Sequence, residues 1–126
     1  MAIQMVIFDT TVLIELYRGN VLVKQKIEEL APDTIYISGI TFAEFMVGAK
    51  DKQDFVQIQK QLSNYTMLPI NEGINGIFIE LFTSFSMSHR PGIADTLIAA
   101  TALYYDLPIY TQNRKHFGFI PGIRLI

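Results

Sequence analysis

Apolar residues fall along this chain in two alternating rhythms: short unbroken runs, and longer stretches in which they recur every three or four positions. Residues 3 to 8 form a run that stops at Asp9-Thr10-Thr11, the pattern of a buried strand leading into a helix. The helix is predicted to reach about Arg18. Gly19-Asn20 stops it, a second helical stretch rich in Lys and Glu continues to Leu30, and Ala31-Pro32-Asp33 breaks the chain. Ile35 to Ser38 is the next strand. After it, Thr41 and Glu44 have the Thr-x-x-Glu spacing that starts helices by reciprocal capping.

Residues 51 to 63 are polar, with Phe55, Ile58 and Leu62 at helical spacing, and predict a surface helix before a short strand at Thr66-Met67-Leu68 that Pro69 closes. Gly76 to about Phe85 reads as an apolar helix and Ser86 to Gly92 as a loop. Ile93 to Tyr105 reads as a helix in which Ala99, Ala100 and Ala102 permit close packing. Leu107 to Tyr110 is a fourth strand, residues 111 to 116 a polar loop, and Ile123 to Ile126 a possible fifth strand at the edge. Alternation of strand and helix throughout predicts an α/β fold with a parallel sheet covered on both faces.

Bulk properties narrow the picture. A chain of 126 residues that is 50% hydrophobic fits one domain, residues 1–126, with enough apolar volume for a core. Ten basic against 12 acidic side chains leave a net charge of −2, so nothing draws the whole molecule to a polyanion. Binding to nucleic acid would be local, and bound cations would have to bring phosphate up to carboxylates. The absence of Cys excludes disulfides, thiolate metal sites and a cysteine nucleophile, and suits a reducing cytoplasm. The apolar start lacks a basic flank and meets Asp9 at once, so it reads as a strand and not as a signal peptide; no apolar run is long enough to span a bilayer.

The chemistry gathers at the strand exits. In an open parallel sheet the loops leaving the carboxyl ends of the strands share one rim, and ligands bind there. Asp9 follows the first strand, Glu44 lies one turn into the helix after the second, Asp95 lies in the first turn of a later helix, and Asn113 follows the fourth strand. Carboxylates converging on one rim repel one another unless a hard cation neutralises them, and oxygen-only ligation is what Mg²⁺ or Mn²⁺ prefers. Each acid also has a purely structural reading. Asp9 suits a helix N-cap, Glu44 the capping box, and Asp95 the positive end of a helix. Asn113 and the histidines His89 and His116 read first as loop residues, and Arg90, Arg114 and Lys115 as solvated cations that are also capable of gripping a phosphate. The aromatic and Met residues between Phe78 and Met87 read as core or as a dimer surface.

Four blocks carry a family resemblance. Val6 to Glu15 resembles the opening of PIN domains, Ile37 to Gly48 their second block, Ile93 to Ala102 their third, and Leu107 to Phe117 their fourth, with Ile120 to Ile123 similar to their terminal turn. The blocks keep the family's order over essentially the whole chain, which resembles the short single-domain members, commonly VapC-like toxin ribonucleases of VapBC pairs. The resemblance implies a three-layer α/β/α fold with a mostly parallel sheet of four to five strands. It also implies Mg²⁺ or Mn²⁺, RNA cleavage by metal-activated water, a cognate antitoxin and a homodimer. It assigns Asp9, Glu44 and Asp95 to the metal and gives Thr11 and Thr111 the task of orienting them or a water. Many relatives carry an Asp at the position of Asn113 or of His116, and this chain has neither; Asn113 then offers an amide oxygen to hold a water.

Two other functions are weighed against a nuclease. A degenerate PIN module would bind RNA or protein without cutting. A phosphoryl-accepting receiver domain needs an Asp at the end of a middle strand, where this chain has Pro69-Ile70-Asn71. For an antitoxin, composition suggests an apolar groove lined by Leu16, Tyr17, Phe42 and Phe45.

Overall fold

The computed structural model describes residues 4–126; Ile3, the first residue of the opening apolar run, lies outside them. In chain order the elements are β1 (Met5–Phe8), α1 (Thr10–Tyr17), α2 (Val21–Leu30), β2 (Thr34–Ser38), α3 (Gly39–Val47), α4 (Lys52–Leu62), β3 (Thr66–Leu68), α5 (Glu72–His89), α6 (Ile93–Tyr105) and β4 (Ile109–Tyr110), followed by a 3-10 turn at Arg114–His116. The strands form one sheet in the order β3-β2-β1-β4, and every adjacent pair is parallel.

Central β1 explains the layering. Successive side chains of a strand point to opposite faces. Val6 and Phe8 face one core, with Val12 and Leu13 of α1, Val23 and Leu30 of α2, Phe45 of α3 and Ile58 and Leu62 of α4. Ile7 faces the other, with Ile74 and Leu81 of α5, Ile98, Ala99, Ala100 and Ala102 of α6, and Ile109 of β4. Val6, Ile7 and Phe8, three of the four β1 residues, are fully buried, as expected of a strand with helices on both sides. The three-layer α/β/α arrangement follows from this division.

Three local expectations need correction. Reciprocal capping by Thr41 and Glu44 does not occur. Helix α3 starts earlier, at Gly39, with Ser38 as N-cap accepting from the Ile40 amide, so Thr41 is buried inside the helix and Glu44 lies beyond its first turn. Helix α5 is longer than Gly76–Phe85 at both ends. Asn71 caps it by accepting from the Ile74 amide at 2.8 Å, and the stretch Ser86–His89 continues the helix with its side chains exposed, a polar face that reads in sequence as a loop. The fifth strand reduces to a single parallel bridge between Ile109 and Leu125, held by Ile109 N–H donating to Arg124 O and Ile126 N–H donating to Ile109 O. Among the described residues no helix is long and apolar enough to cross a membrane.

Candidate functional site

Strand β1 delivers Asp9 to the carboxyl edge of the sheet, where it is 1% exposed. It is the N-cap of α1: Oδ1 accepts from the Val12 amide at 3.1 Å and from the Thr11 hydroxyl at 2.6 Å. The capping reading is therefore correct, and it is incomplete. Oδ2 accepts a hydrogen bond from the Thr111 hydroxyl, 102 residues away in sequence. That contact exists because β1 and β4 are neighbours, with the Asp9 amide donating to Tyr110 O at 3.2 Å. Three donors thus fix both oxygens of one buried carboxylate, which holds its orientation whether or not anything is bound.

Glu44 reaches the same rim from α3. Its Oε1 accepts from the Thr10 hydroxyl at 2.6 Å, and the Thr41 hydroxyl lies 3.2 Å from that Thr10 oxygen. Local pattern gives Thr41 only a capping role and Thr10 only a place in the hydroxyl run after Asp9. Their clue is the hydroxyl run beside Asp9 and a Thr one turn before Glu44, which the capping box explained in another way. Tertiary contact with α1, and not local capping, is what positions Glu44.

Asp95 stands in the first turn of α6, half-buried. Its Oδ2 lies 3.0 Å from His116 Nδ1, so His116, which the sequence offers first as a loop residue and second as a base or phosphate contact, pairs with this acid. The 3-10 turn makes this contact possible, since the His116 amide donates to Asn113 O at 3.0 Å and curls the loop back toward α6. Burial pushes the Asp95 carboxyl above the usual carboxylate range, His116 opposes that shift, and the charges of Asp9 and Glu44 add to it. The three acids come from separate elements and are 35 and 51 residues apart in sequence.

Asn113 is half-buried, and its amide N–H donates to Thr111 Oγ1 at 2.9 Å. Its backbone supports the hydroxyl that holds Asp9. The donors of this rim are carboxylate and hydroxyl oxygens, a set whose hardness and summed negative charge suit a divalent cation such as Mg²⁺. Among the described residues no three acids or imidazoles already stand at the spacing of a metal cage.

Beside Glu44 lies an apolar-walled cavity of about 180 Å³, lined by Ile14, Tyr17, Phe45 and Ile58 and edged by Arg18 and Lys50. Tyr17 packs edge-on against Phe45 with ring centroids 5.6 Å apart, and its hydroxyl donates to Asp54. That bond, with the Lys50 amide, holds the Asp54 carboxyl below its usual range. Tyr17 and Phe45 line this groove as composition suggests. Leu16 packs against the core, and Phe42 is not among the lining residues.

Comparison with known proteins agrees with this architecture. The family model described as "PIN domain" matches residues 6–118. The chain is 29% identical to "Ribonuclease VapC" of Rickettsia bellii, over 95% of this chain and 93% of the relative, and 30% identical to "Ribonuclease VapC1" of Methanocaldococcus jannaschii, over 89% and 78%. Among solved structures it resembles a toxin-antitoxin complex from Klebsiella pneumoniae, with a TM-score of 0.81, 32% identity and coverage of 96% of this chain and 95% of that one. The fold also matches DNA-bound VapBC from Salmonella typhimurium, with a TM-score of 0.83, 22% identity and 98% coverage of each chain. Sheet order, strand-exit acids and sequence similarity over nearly the whole chain converge: this chain belongs to the PIN domain family.

Proposed function

We propose that the chain is a divalent-metal-dependent endoribonuclease of the VapC kind, with Asp9, Glu44 and Asp95 as the residues that hold Mg²⁺ or Mn²⁺. The reading is supported by three acids that follow β1 or stand on α3 and α6, with Glu44 tied to Thr10 next to Asp9, and Asp95 paired with His116 in the loop after β4, the strand beside β1. A bound cation supplies charge to activate water and to stabilise the leaving oxygen of a phosphodiester. The protein's own part is orientation. Thr11 and Thr111 lock Asp9, Thr10 holds Glu44, and Asn113 supports Thr111 through its amide and has a side-chain oxygen to offer a water.

The ribonuclease names of the relatives support RNA as the substrate. Asp9→Asn keeps the cap and the Thr11 contact through its amide oxygen and presents an NH2 to Thr111, whose hydroxyl then accepts, so it is expected to fold with a near-normal far-UV spectrum and to lose Mg²⁺-dependent RNA cleavage. Cleavage at the wild-type rate by that variant sinks the assignment.

Kinship to toxin-antitoxin complexes supports a small protein antitoxin as partner. The Tyr17–Phe45 groove is where an amphipathic segment would lie, with a basic side chain reaching Glu44 at its end. A second reading, a non-cutting PIN module, is favoured by one feature: where many relatives have an acid, this chain has His116, and it occupies Asp95. Calorimetry with Mn²⁺ separates the two, since measurable binding that Asp95→Asn weakens supports the nuclease and no heat at millimolar metal supports the non-cutting module.

A further inference from the structure

Beyond the three acids, cations cluster beside Asp95. A cavity of about 290 Å³ is lined by Arg90, Lys115, His116 and Asp95, with His89 and Phe119 as its wall. A second cavity, of about 340 Å³, is lined by residues 112 to 116 and shares Lys115 and His116 with the first. Because Lys115 and His116 line both, the two adjoin in a depression beside Asp95 that carries Arg90, Arg114 and Lys115. In a chain of net charge −2 this concentrates three of ten Lys and Arg residues beside one carboxylate that His116 already pairs. Among the described residues none of the three cations forms a salt bridge.

The wall is ordered. His89 stacks on Phe119 with ring centroids 4.3 Å apart and an interplanar angle of 14°, Ser88 Oγ lies 2.8 Å from His89 Nδ1, and Phe85 meets both rings edge-on. Arg90 takes the left-handed backbone conformation, with φ of 45°, at the end of α5. That conformation favours Gly, so the residue sits there against its backbone preference.

We propose that this depression is the track for single-stranded RNA leading away from the acidic centre, with Arg90 and Lys115 holding the backbone phosphate next to the scissile one and Arg114 the phosphate beyond it. The inference rests on the nuclease reading for its substrate class. Paired acids repel a phosphodiester, and unpaired cations directly beside them supply the local attraction that the net charge denies. Side chains contacting phosphates position a strand without reading its sequence, so the track sets affinity and register while cleavage preference lies elsewhere.

The test uses Arg90→Gly and Lys115→Gln, alone and combined, first in the full chain and then in the Asp9→Asn background, with a fluorescein-labelled single-stranded oligoribonucleotide. Because Gly suits the left-handed position, Arg90→Gly is expected to keep or raise Tm, which separates a phosphate role from a structural one. In the Asp9→Asn background the slope of log Kobs against log salt is expected to shrink by about 0.7 for each lost contact, and by about 1.4 for both. In the full chain KM rises several-fold and kcat changes little. Wild-type cleavage with an unchanged KM and salt slope in the double variant overturns the track and leaves the nuclease standing. RNA binding that loses slope as stated, with no cleavage by the wild type under any divalent metal, keeps the track and overturns the nuclease. No RNA binding by Asp9→Asn and no cleavage by the wild type overturns both.

Discussion

At the scale of single residues, Asp9 shows how a structural role and a chemical one coincide. Its cap on α1 uses one oxygen and leaves the other to Thr111, so the two functions do not compete. Thr111 is 3% exposed and holds a buried carboxylate. Thr111→Val keeps the shape and removes the donor, with an expected cost of about 1–3 kcal/mol in unfolding free energy and a larger proportional loss in RNA cleavage. Urea denaturation read beside initial rates checks this; a full loss of stability with no change in rate would make Thr111 a mere strut. The acids themselves were legible in the sequence because each follows a strand exit. Thr10, Thr41 and His116 were not, because their partners lie 21 to 34 residues away and nothing in local spacing announces such contacts.

At the scale of elements, the strands and most helices were readable from hydrophobic rhythm, and the failures share a cause. Helix α3 begins at Gly39 because the Ser38 side chain accepts from the Ile40 amide directly where β2 ends, which leaves the apparent capping box one turn too late to act. Helix α5 runs past the apolar stretch because its ends are set by Asn71 and by the left-handed Arg90, while Gly73, Gly76 and the serines near its end dilute the helical pattern. Two substitutions on α5 test the account by thermal melting. Asn71→Ala removes the cap and is expected to cost about 1 kcal/mol. A Cβ at exposed Gly76 meets nothing within 4 Å, so Gly76→Ala is expected to gain roughly 0.5–1 kcal/mol, whereas a Cβ at Gly73 would stand 2.3 Å from Tyr104 Cε1 and force that ring aside.

At the scale of the whole molecule, β1 is the member on which both cores depend. Phe8 is fully buried between α-helical residues of one layer and the rings of Tyr65 and Tyr110, with centroids at 6.1 and 5.6 Å, and it directly precedes Asp9. Phe8→Ala is expected to cost about 3–5 kcal/mol, a large share of the roughly 5–15 kcal/mol that holds a domain of this size. A midpoint shift of that order in urea, with cleavage impaired even where the variant remains folded, is the expected result. A fall in stability with wild-type rates in the folded variant would show that the acid keeps its place without the ring beneath it.

Strand order carries one more consequence. β1 lies between β2 and β4, so the segment that begins the fold is completed by residues 109 to 111, which are made last among the strands. Before residues 109 to 116 are in place, Asp9 and Glu44 lack the Thr111 hydroxyl that holds Asp9 and the His116 that meets Asp95. The rim is therefore not complete until the last of the four strands has joined β1.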